Sequence, residues 1–521
     1  MFANFEIRRA GFVRAEIKAK RPRSTTGCVE CRQRKKKCDE ALPICGGCLR
    51  KHGQTNLTCT RSRRQHSPSS PITDPNSLTL TRPSTVKVSD GEEELRPLSP
   101  QSNARRTRCA QLVRDPSKWV LPTLSHHMNL NSPLAKTFCQ PEEKRALRVL
   151  LEKFDSLTSS TYTSPDLSIV SQGLPLAVEY QSVKAAFVAC GLAIFFRVSL
   201  SREDRQSAIV HYNEAVNTVA SQLMAFPAEA NLSAVLLLHI FEILSDTLVP
   251  EWIHMSGARN LVKSFFQTPP STVHQILLLE AYIYHVVISS IFNGDKSDSL
   301  PDDHISELLL LLSKSSQRIC PGPLWKTSAC IGSSHIAFDY AFRISRLRRR
   351  LPLTGQGLED AMRLKGLLCE AEVEPQRTQY ASSASADASP PLEMTITACL
   401  YIHACILVLE KLLDTSLSAS DALPRSTISS AVLLYSQLPR AEQKRPMLTW
   451  PSIILGCAAE SPNDRAVFSD PFVETIREGG LGSAVQSYRL LRQVWQTDSV
   501  LGRQLGLDIL LRDDLLCSVF L

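Results

Sequence analysis

Beyond residue 136 the apolar positions recur at helical spacing, and they do so to the end of the chain. After Pro141, a favoured first-turn residue, Leu147, Leu150, Leu151 and Phe154 lie three, four and seven apart and predict a helix over 142–154. A longer stripe of Ala208, Ile209, Tyr212, Ala215, Val216, Val219, Ala220 and Leu223 predicts a helix over 205–224. Residues 234–244 are apolar nearly all round, as a buried central helix would be, and Ala258, Leu261, Val262 and Phe265 form the next stripe. Further helices are predicted at 176–198, 272–293, 303–315, 333–350, 357–371, 392–415, 426–438, 463–478, 484–497 and 507–518. Strand-period alternation is nearly absent, and no repeat of fixed period stands out. The pattern implies a large all-α helical domain of stacked antiparallel helices over 136–521.

Upstream the pattern is lost. From about 61 to 135 the composition turns to Ser, Pro, Thr and Arg without a sustained hydrophobic period, which predicts a disordered linker over 63–135. Ser67-Pro68, Ser70-Pro71 and Ser99-Pro100 have the form of proline-directed kinase sites, and residues 90–94 read as a solvated acidic run. No series of apolar a/d heptads lies between Cys59 and Pro133, so dimerisation has to come from the helical domain and monomeric binding stays open. Residues 276–292 and 234–244 look like membrane spans. The first carries Glu280 and His285, however, and the second is far short of the roughly 20 residues a span requires, so no membrane partner is expected. Residues 374–391, with Ser382, Ser383, Ser385, Pro390 and Pro391, are expected to form an internal loop.

Length and charge add a division of labour. A chain of 521 residues suggests roughly two to four domains, and its few aromatics favour helices over a sandwich. Its net charge of +8 is unevenly placed: residues 1–64 hold 17 Lys+Arg against 5 Asp+Glu, and the remainder holds 42 against 46. The basic balance is local to one end, as expected where only that end meets a polyanion. Residues 1–24 carry Arg8, Arg9, Arg14, Lys18, Lys20, Arg21 and Arg23. A mitochondrial presequence is weakened by Glu6 and Glu16, which leaves a basic disordered arm that touches phosphate or signals import.

The chemistry sits in that basic end, where six of the sixteen cysteines fall between Cys28 and Cys59. They run Cys28-x2-Cys31-x6-Cys38-x6-Cys45-x2-Cys48-x10-Cys59. A Cys-x-x-Cys turn brings two thiolates to one soft cation, and tetrahedral Zn²⁺ is the usual occupant. Six thiolates satisfy two Zn²⁺ ions at four ligands each only when two cysteines bridge, so the count gives a two-metal cluster. A disulfide-stapled secreted module fits less well, because nothing like a signal peptide precedes it and ten more cysteines are scattered singly. Between Cys31 and Cys38, Arg32, Arg34, Lys35, Lys36 and Lys37 occupy five of six positions. Clamped between metal ligands, these cations are presented on a fixed short helix suited to nucleic acid; a localisation signal is compatible with the same residues.

These residues resemble the fungal binuclear zinc-cluster (Zn2Cys6) transcription factors, through Cys28-x2-Cys31-Arg32-x-Arg34-Lys35-Lys36-Lys37-Cys38-Asp39, Pro43-x-Cys45-x2-Cys48 and Cys59. The last interval of ten residues exceeds the family's usual roughly six to nine. The resemblance implies a DNA-binding domain over 25–62 with two short helices around the cluster. It implies that Cys28 and Cys45 bridge the metals, one zinc taking Cys31 and Cys38 and the other Cys48 and Cys59 as remaining ligands. It further implies that the short helix enters the major groove and reads a CGG-like triplet, with Lys35 and Arg34 on base edges and Arg32 and Lys37 on phosphates. Residues 185–266 look like the fungal-specific transcription factor regulatory domain that often accompanies the cluster. That likeness is carried by His211-Tyr212-Asn213-Glu214-Ala215, by the run from Val235 to Ile243 and by Trp252-Ile253-His254-Met255-Ser256-Gly257-Ala258.

Against an enzyme stands the absence of a Walker-type loop, a Gly-x-Ser-x-Gly elbow, a His-Glu-x-x-His motif and a dinucleotide fingerprint. His211, His239, His254 and His285 lie singly within predicted helices, where a satisfied core residue is the expectation, and Cys399 and Cys405 read as small buried apolar residues. Tyr212, Trp252, His254 and Gly257 are candidates for lining an effector pocket, although packing explains them equally. The expected protein is a nuclear, sequence-specific regulator of RNA polymerase II transcription. Its expected partners are double-stranded DNA and the transcription machinery, with a homodimer through the helical domain and a small-molecule effector left open. The competing class is an interaction protein whose zinc module binds protein or RNA and whose helical domain is a docking scaffold. A metabolic enzyme fused to a DNA-binding module is a weaker third.

Overall fold

The computed structural model describes residues 133–158, 167–245, 252–292, 300–301, 303–381, 390–478, 482–496 and 504–516. The arm, the cysteine module and nearly all of the linker lie outside the described residues. Among the described residues there is no β-strand. The longer helices are α1 (Pro141–Val149), α2 (Ile169–Glu179), α3 (Gln181–Ser199), α4 (Arg202–Gln222), α5 (Ala228–Ser245), α6 (Trp252–Phe265), α7 (Val273–Phe292) and α8 (His304–Ile319). They continue with α9 (His335–Arg348), α10 (Gln356–Ala381), α11 (Leu392–Leu413), α12 (Ala422–Gln437), α13 (Thr449–Ala458), α14 (Pro462–Arg477) and α15 (Gly482–Trp495).

Local chemistry sets several of the helix ends. The hydroxyls of Ser168, Ser201 and Ser461 accept the backbone N–H three residues on, at 2.9, 3.4 and 3.1 Å, and so satisfy orphan donors at the starts of α2, α4 and α14. At α1 the Glu143 carboxylate reaches back to the Gln140 N–H at 3.1 Å, and Pro141 fills the first helical position. α3 stops at Leu200, whose φ of 54° turns the chain into α4 while its N–H bonds the Phe196 carbonyl at 2.7 Å.

α3 lies at the centre of the first half of the core, packed by α1, α4 and α5, and most of its residues from Ser182 to Ile194 are buried. Gly191 permits the approach of α1, since a Cβ there would sit 2.5 Å from the Ala146 carbonyl oxygen. Lys184 holds the same pair of helices through Glu143 at 2.7 Å. In the second half, the rings of Phe338, Tyr401 and Trp450 succeed one another at centroid separations of 5.1 Å, joining α9, α11 and α13. Most of the buried apolar residues of both halves form one continuous cluster, and Leu277, Ala329 and Cys330 form a small separate one.

The structure departs from the predicted elements where local pattern competes with packing. The helix expected over 142–154 passes into a π-helical turn at Leu150–Phe154 that keeps both of these side chains buried. The helix expected over 176–198 is two, α2 and α3, broken at Tyr180 with extended backbone. The loop expected over 374–391 is in error at its start: α10 runs on to Ala381, because helix formers on both sides of Pro375 carry it past the proline. Of the helix expected over 507–518, the described residues show instead a 3₁₀ segment, Gly506–Leu511, followed by a single turn, Asp513–Leu516. α13 has no counterpart among the predicted helices, because it is apolar on every side and carries Pro451 in its first turn.

Four helices, α3, α5, α7 and α11, are long and apolar enough to cross a membrane by length and composition. The apolar run at 234–244 is thus part of a longer helix than expected. Between 61% and 89% of each apolar window is buried inside the domain, so these helices serve as its core.

Candidate functional site

The proposed zinc ligands Cys28, Cys31, Cys38, Cys45, Cys48 and Cys59, and the proposed DNA contacts Arg32, Arg34, Lys35 and Lys37, lie outside the described residues. Among the described residues no group of three or more His, Cys, Asp or Glu side chains is placed to hold a metal ion.

Within the helical domain, two of the four candidate pocket residues meet. Tyr212 on α4 donates its hydroxyl to Glu242 Oε1 on α5 at 2.8 Å and lies 2.9 Å from His254 Nε2 on α6. The same Glu242 oxygen is 3.1 Å from His254 Nε2, so the three groups close a triangle. With the tyrosine proton on Glu242, the geometry assigns Nε2–H to His254, shared between the carboxylate and the phenol oxygen. Burial, with Glu242 beside it, raises the Tyr212 pKa and keeps the phenol protonated. The Tyr212 ring also stacks on Phe241 at 4.7 Å. Gly257 is buried one turn beyond His254, and Trp252 opens α6.

Two more histidines adjoin this triangle. His239 is buried one turn before Glu242 on α5, its Nδ1 4.0 Å from Glu242 Oε2, and its ring meets the His285 ring of α7 edge-on at 4.9 Å. Neither nitrogen of His239 has a hydrogen-bond partner, nor does His285 Nδ1 or Glu242 Oε2. Burial depresses the His239 pKa well below the usual imidazole range, helped by His285 and His254, and burial brings His285 down to about 4. Both imidazoles are therefore neutral near pH 7.

The expectation of satisfied core histidines is corrected here. Of the four, His239 and His285 are buried but leave ring nitrogens without a hydrogen-bond partner and pair edge-on with each other, while half-buried His254 joins Tyr212 and Glu242. His211 remains apart, 3.4 Å from Glu214 on its own helix. Glu242 is the residue sequence reasoning passed over; the available signal was a lone carboxylate in an otherwise apolar run. A cavity of about 50 Å³ beside Tyr284 and His285, walled largely by apolar groups such as Ile240 and Leu244, is large enough for water and small for a metabolite. The arrangement joins α4, α5 and α6 by hydrogen bonds and α5 to α7 by the edge-on contact of His239 with His285.

The expectation of buried late cysteines holds for Cys190, Cys330, Cys405 and Cys457, whereas Cys320 and Cys399 are half-buried and Cys139 and Cys369 exposed. Cys405 is buried, and burial raises its thiol pKa; half-buried Cys399 is pushed up to about 11 by burial and by Glu372. Cys190, Cys330 and Cys457 are raised as well, chiefly by burial, which opposes thiolate formation.

Comparison with known proteins accounts for both parts of the chain. Residues 26–68, which include the six cysteines and the cation block, match the family model of the fungal Zn(2)-Cys(6) binuclear cluster domain. Residues 156–504, which include the Glu242 cluster, match that of the fungal specific transcription factor domain. An uncharacterized transcriptional regulatory protein of Schizosaccharomyces pombe is 23% identical over 533 residues, covering 92% of this chain and 93% of its own. No solved structure gives a significant match.

Proposed function

Because the chain belongs to the fungal-specific transcription factor family and carries a Zn2Cys6 cluster domain, we propose that it regulates RNA polymerase II transcription in the nucleus by reading CGG-like triplets in double-stranded DNA. The observation that supports this reading most directly is the placing of five cations between the second and third cysteines of the cluster. Two Zn²⁺ ions, bridged by Cys28 and Cys45, fold a module over residues 25–62 that is too small to build a core of its own. Lys35 and Arg34 read guanine edges in the major groove, and Arg32 and Lys37 fix the module on the phosphates. Residues 1–24 are its basic arm and 63–135 a linker to the helical domain at 136–521. That domain holds the zinc module in check, dimerises the chain or senses a small effector.

Selection from random duplex DNA by the full chain, with zinc and again with a chelator, tests the reading. Zinc-dependent enrichment of a CGG-like triplet, from protein that carries two zinc ions by native mass spectrometry, is the expected result. Enrichment of no sequence by the two-zinc protein refutes it in favour of a zinc module that binds protein or RNA.

A further inference from the structure

α10 is the longest helix among the described residues, and it packs on α11 and α9. Ala361, Leu364 and Leu368 are buried on its inner side, and Lys365 fastens it to α11 through Glu410 at 2.7 Å. The outer side has a stripe of its own. Leu358, Met362, Gly366 and Cys369 follow one another at intervals of four, four and three residues, so the helical period brings them onto one face. All four are exposed, Leu358 by 43% and Met362 by 55%, and an added Cβ at Gly366 would meet nothing within 4 Å.

Charged residues run along one flank of this stripe. Glu359, Arg363 and Glu370 stand beside it by helical period, and all three are exposed. Arg363 is 71% exposed and makes a loose pairing with Asp360 at 3.9 Å. Glu370 lies two turns beyond Arg363, roughly 10 Å along the axis, so the two side chains of one helix do not meet. A second copy of the chain complements both the stripe and its flank. With two α10 helices antiparallel about a two-fold axis through Gly366, Met362 lies against Cys369 of the second copy and Arg363 against its Glu370. Each of these pairs is centred within about half a residue of Gly366. In an antiparallel pair the same flank of both helices meets, so the contact of cation with anion forms twice while the apolar stripes cover each other. Gly366, near the middle of the helix, lets the two backbones approach.

We infer that the outer face of α10 is a homodimer interface, in which two copies of the chain pair antiparallel about Gly366. The occupant is a second copy because one register satisfies the apolar residues and the charges together, as a two-fold contact requires of a single surface. One helix from each copy covers less than the roughly 1,200–2,000 Å² of a standard interface, so the dimer is a weak one that dissociates in the micromolar range. The inference deepens the function proposed above and rests on its reading of the helical domain as the part that dimerises the chain.

The test is sedimentation velocity of the zinc-loaded full chain over a concentration series, without DNA. Exchange between monomer and dimer is expected. Met362→Glu, at an exposed helical position, should weaken the dimer about tenfold or more. Arg363→Glu and Glu370→Arg should each weaken it about threefold or more, and the two together should restore it, because the pair is rebuilt with its signs exchanged. Contacts within one chain cannot give that rescue, since the two side chains stand two turns apart. Leu433→Glu, at an exposed leucine on α12, should leave the dimer unchanged. A chain that stays monomeric at every concentration overturns the inference. So does a dimer that Met362→Glu leaves intact, one that Leu433→Glu weakens equally, or one that the double reversal fails to restore. Because no DNA is present, failure of the DNA selection leaves this result standing.

Discussion

The carboxylate of Glu280, in the middle of α7, accepts the backbone N–H of Cys330 at 2.7 Å from fifty residues further along the chain. It also accepts from Ile331 at 2.7 Å, from Ala329 at 2.9 Å and from the Ser328 hydroxyl. A fully buried anion thus organises the segment leading into α9, four donors converging on two oxygens.

Glu280→Gln should therefore be costly despite its near-identical shape, because an amide NH₂ would be turned toward backbone N–H groups, that of Ala329 or those of Cys330 and Ile331, which only donate. A loss of about 3 kcal/mol is expected, read as a lower urea midpoint at unchanged slope. A loss below about 1 kcal/mol would mean that the segment finds other acceptors.

Two glycines should respond to alanine with opposite signs. At Gly191 the added methyl meets the Ala146 backbone, which cannot swing aside, so Gly191→Ala should destabilise by about 1–3 kcal/mol. At Gly366, exposed within α10 and with nothing within 4 Å of an added Cβ, Gly366→Ala should stabilise by about 0.5–1 kcal/mol. Melting the two variants side by side checks both, and a shared sign would refute the packing argument.

Lys411 is a buried cation whose ammonium is fully used, donating to the Thr415 and Leu417 carbonyls at 2.6 and 2.7 Å and to Asp508 at 2.8 Å. It ties the end of α11 to the Gly506–Leu511 segment. Lys411→Met should cost about 3–5 kcal/mol, because it strands two carbonyls and a carboxylate. Asp508→Asn should cost less, since that carboxylate is partly exposed. A cycle of the two single substitutions and the double isolates the coupling, and a value near zero would assign the loss to packing.

What the sequence makes legible is what a single helix carries on its own surface. The stripe from Ala208 to Leu223 predicts α4 to within a few residues, although Ala220, at its edge, is exposed. The cysteine module is legible for a similar reason, since the spacing that resembles the family matched over 26–68 lies within one short stretch. Contacts between distant helices are not. Tyr212 and His254 are 42 residues apart, and no periodicity says that α4 and α6 bring them to one Glu242 oxygen.

The His239 and His285 pair makes stability depend on acid. Both pKa values lie below those of the unfolded chain, so the unfolded state binds more protons in that range and folding weakens as pH falls. Stability should be level above about 6.5 and decline from there toward about 4, by about 1.4 kcal/mol per pH unit for each proton taken up. His239→Leu, which also faces Glu242 and His254, should flatten the slope between about pH 6.5 and 5 by one proton. An unchanged slope in urea titrations at several pH values would show that other groups set the dependence.

The DNA-reading roles separate by salt as well as by sequence. A side chain that reads a base edge contributes on the specific site alone, whereas one that neutralises a phosphate contributes on any duplex and releases counterions as it does so. Lys35→Ala should therefore cost roughly 1–3 kcal/mol on the selected triplet and narrow the gap to random DNA. Lys37→Ala should weaken all sequences alike and lower the slope of log K against log salt by about one. Binding isotherms on specific and random duplexes at several salt concentrations distinguish the two. Equal losses on both duplexes for Lys35→Ala would make Lys35 a phosphate contact, and a changed triplet preference for Lys37→Ala would move base reading to the end of the cation block.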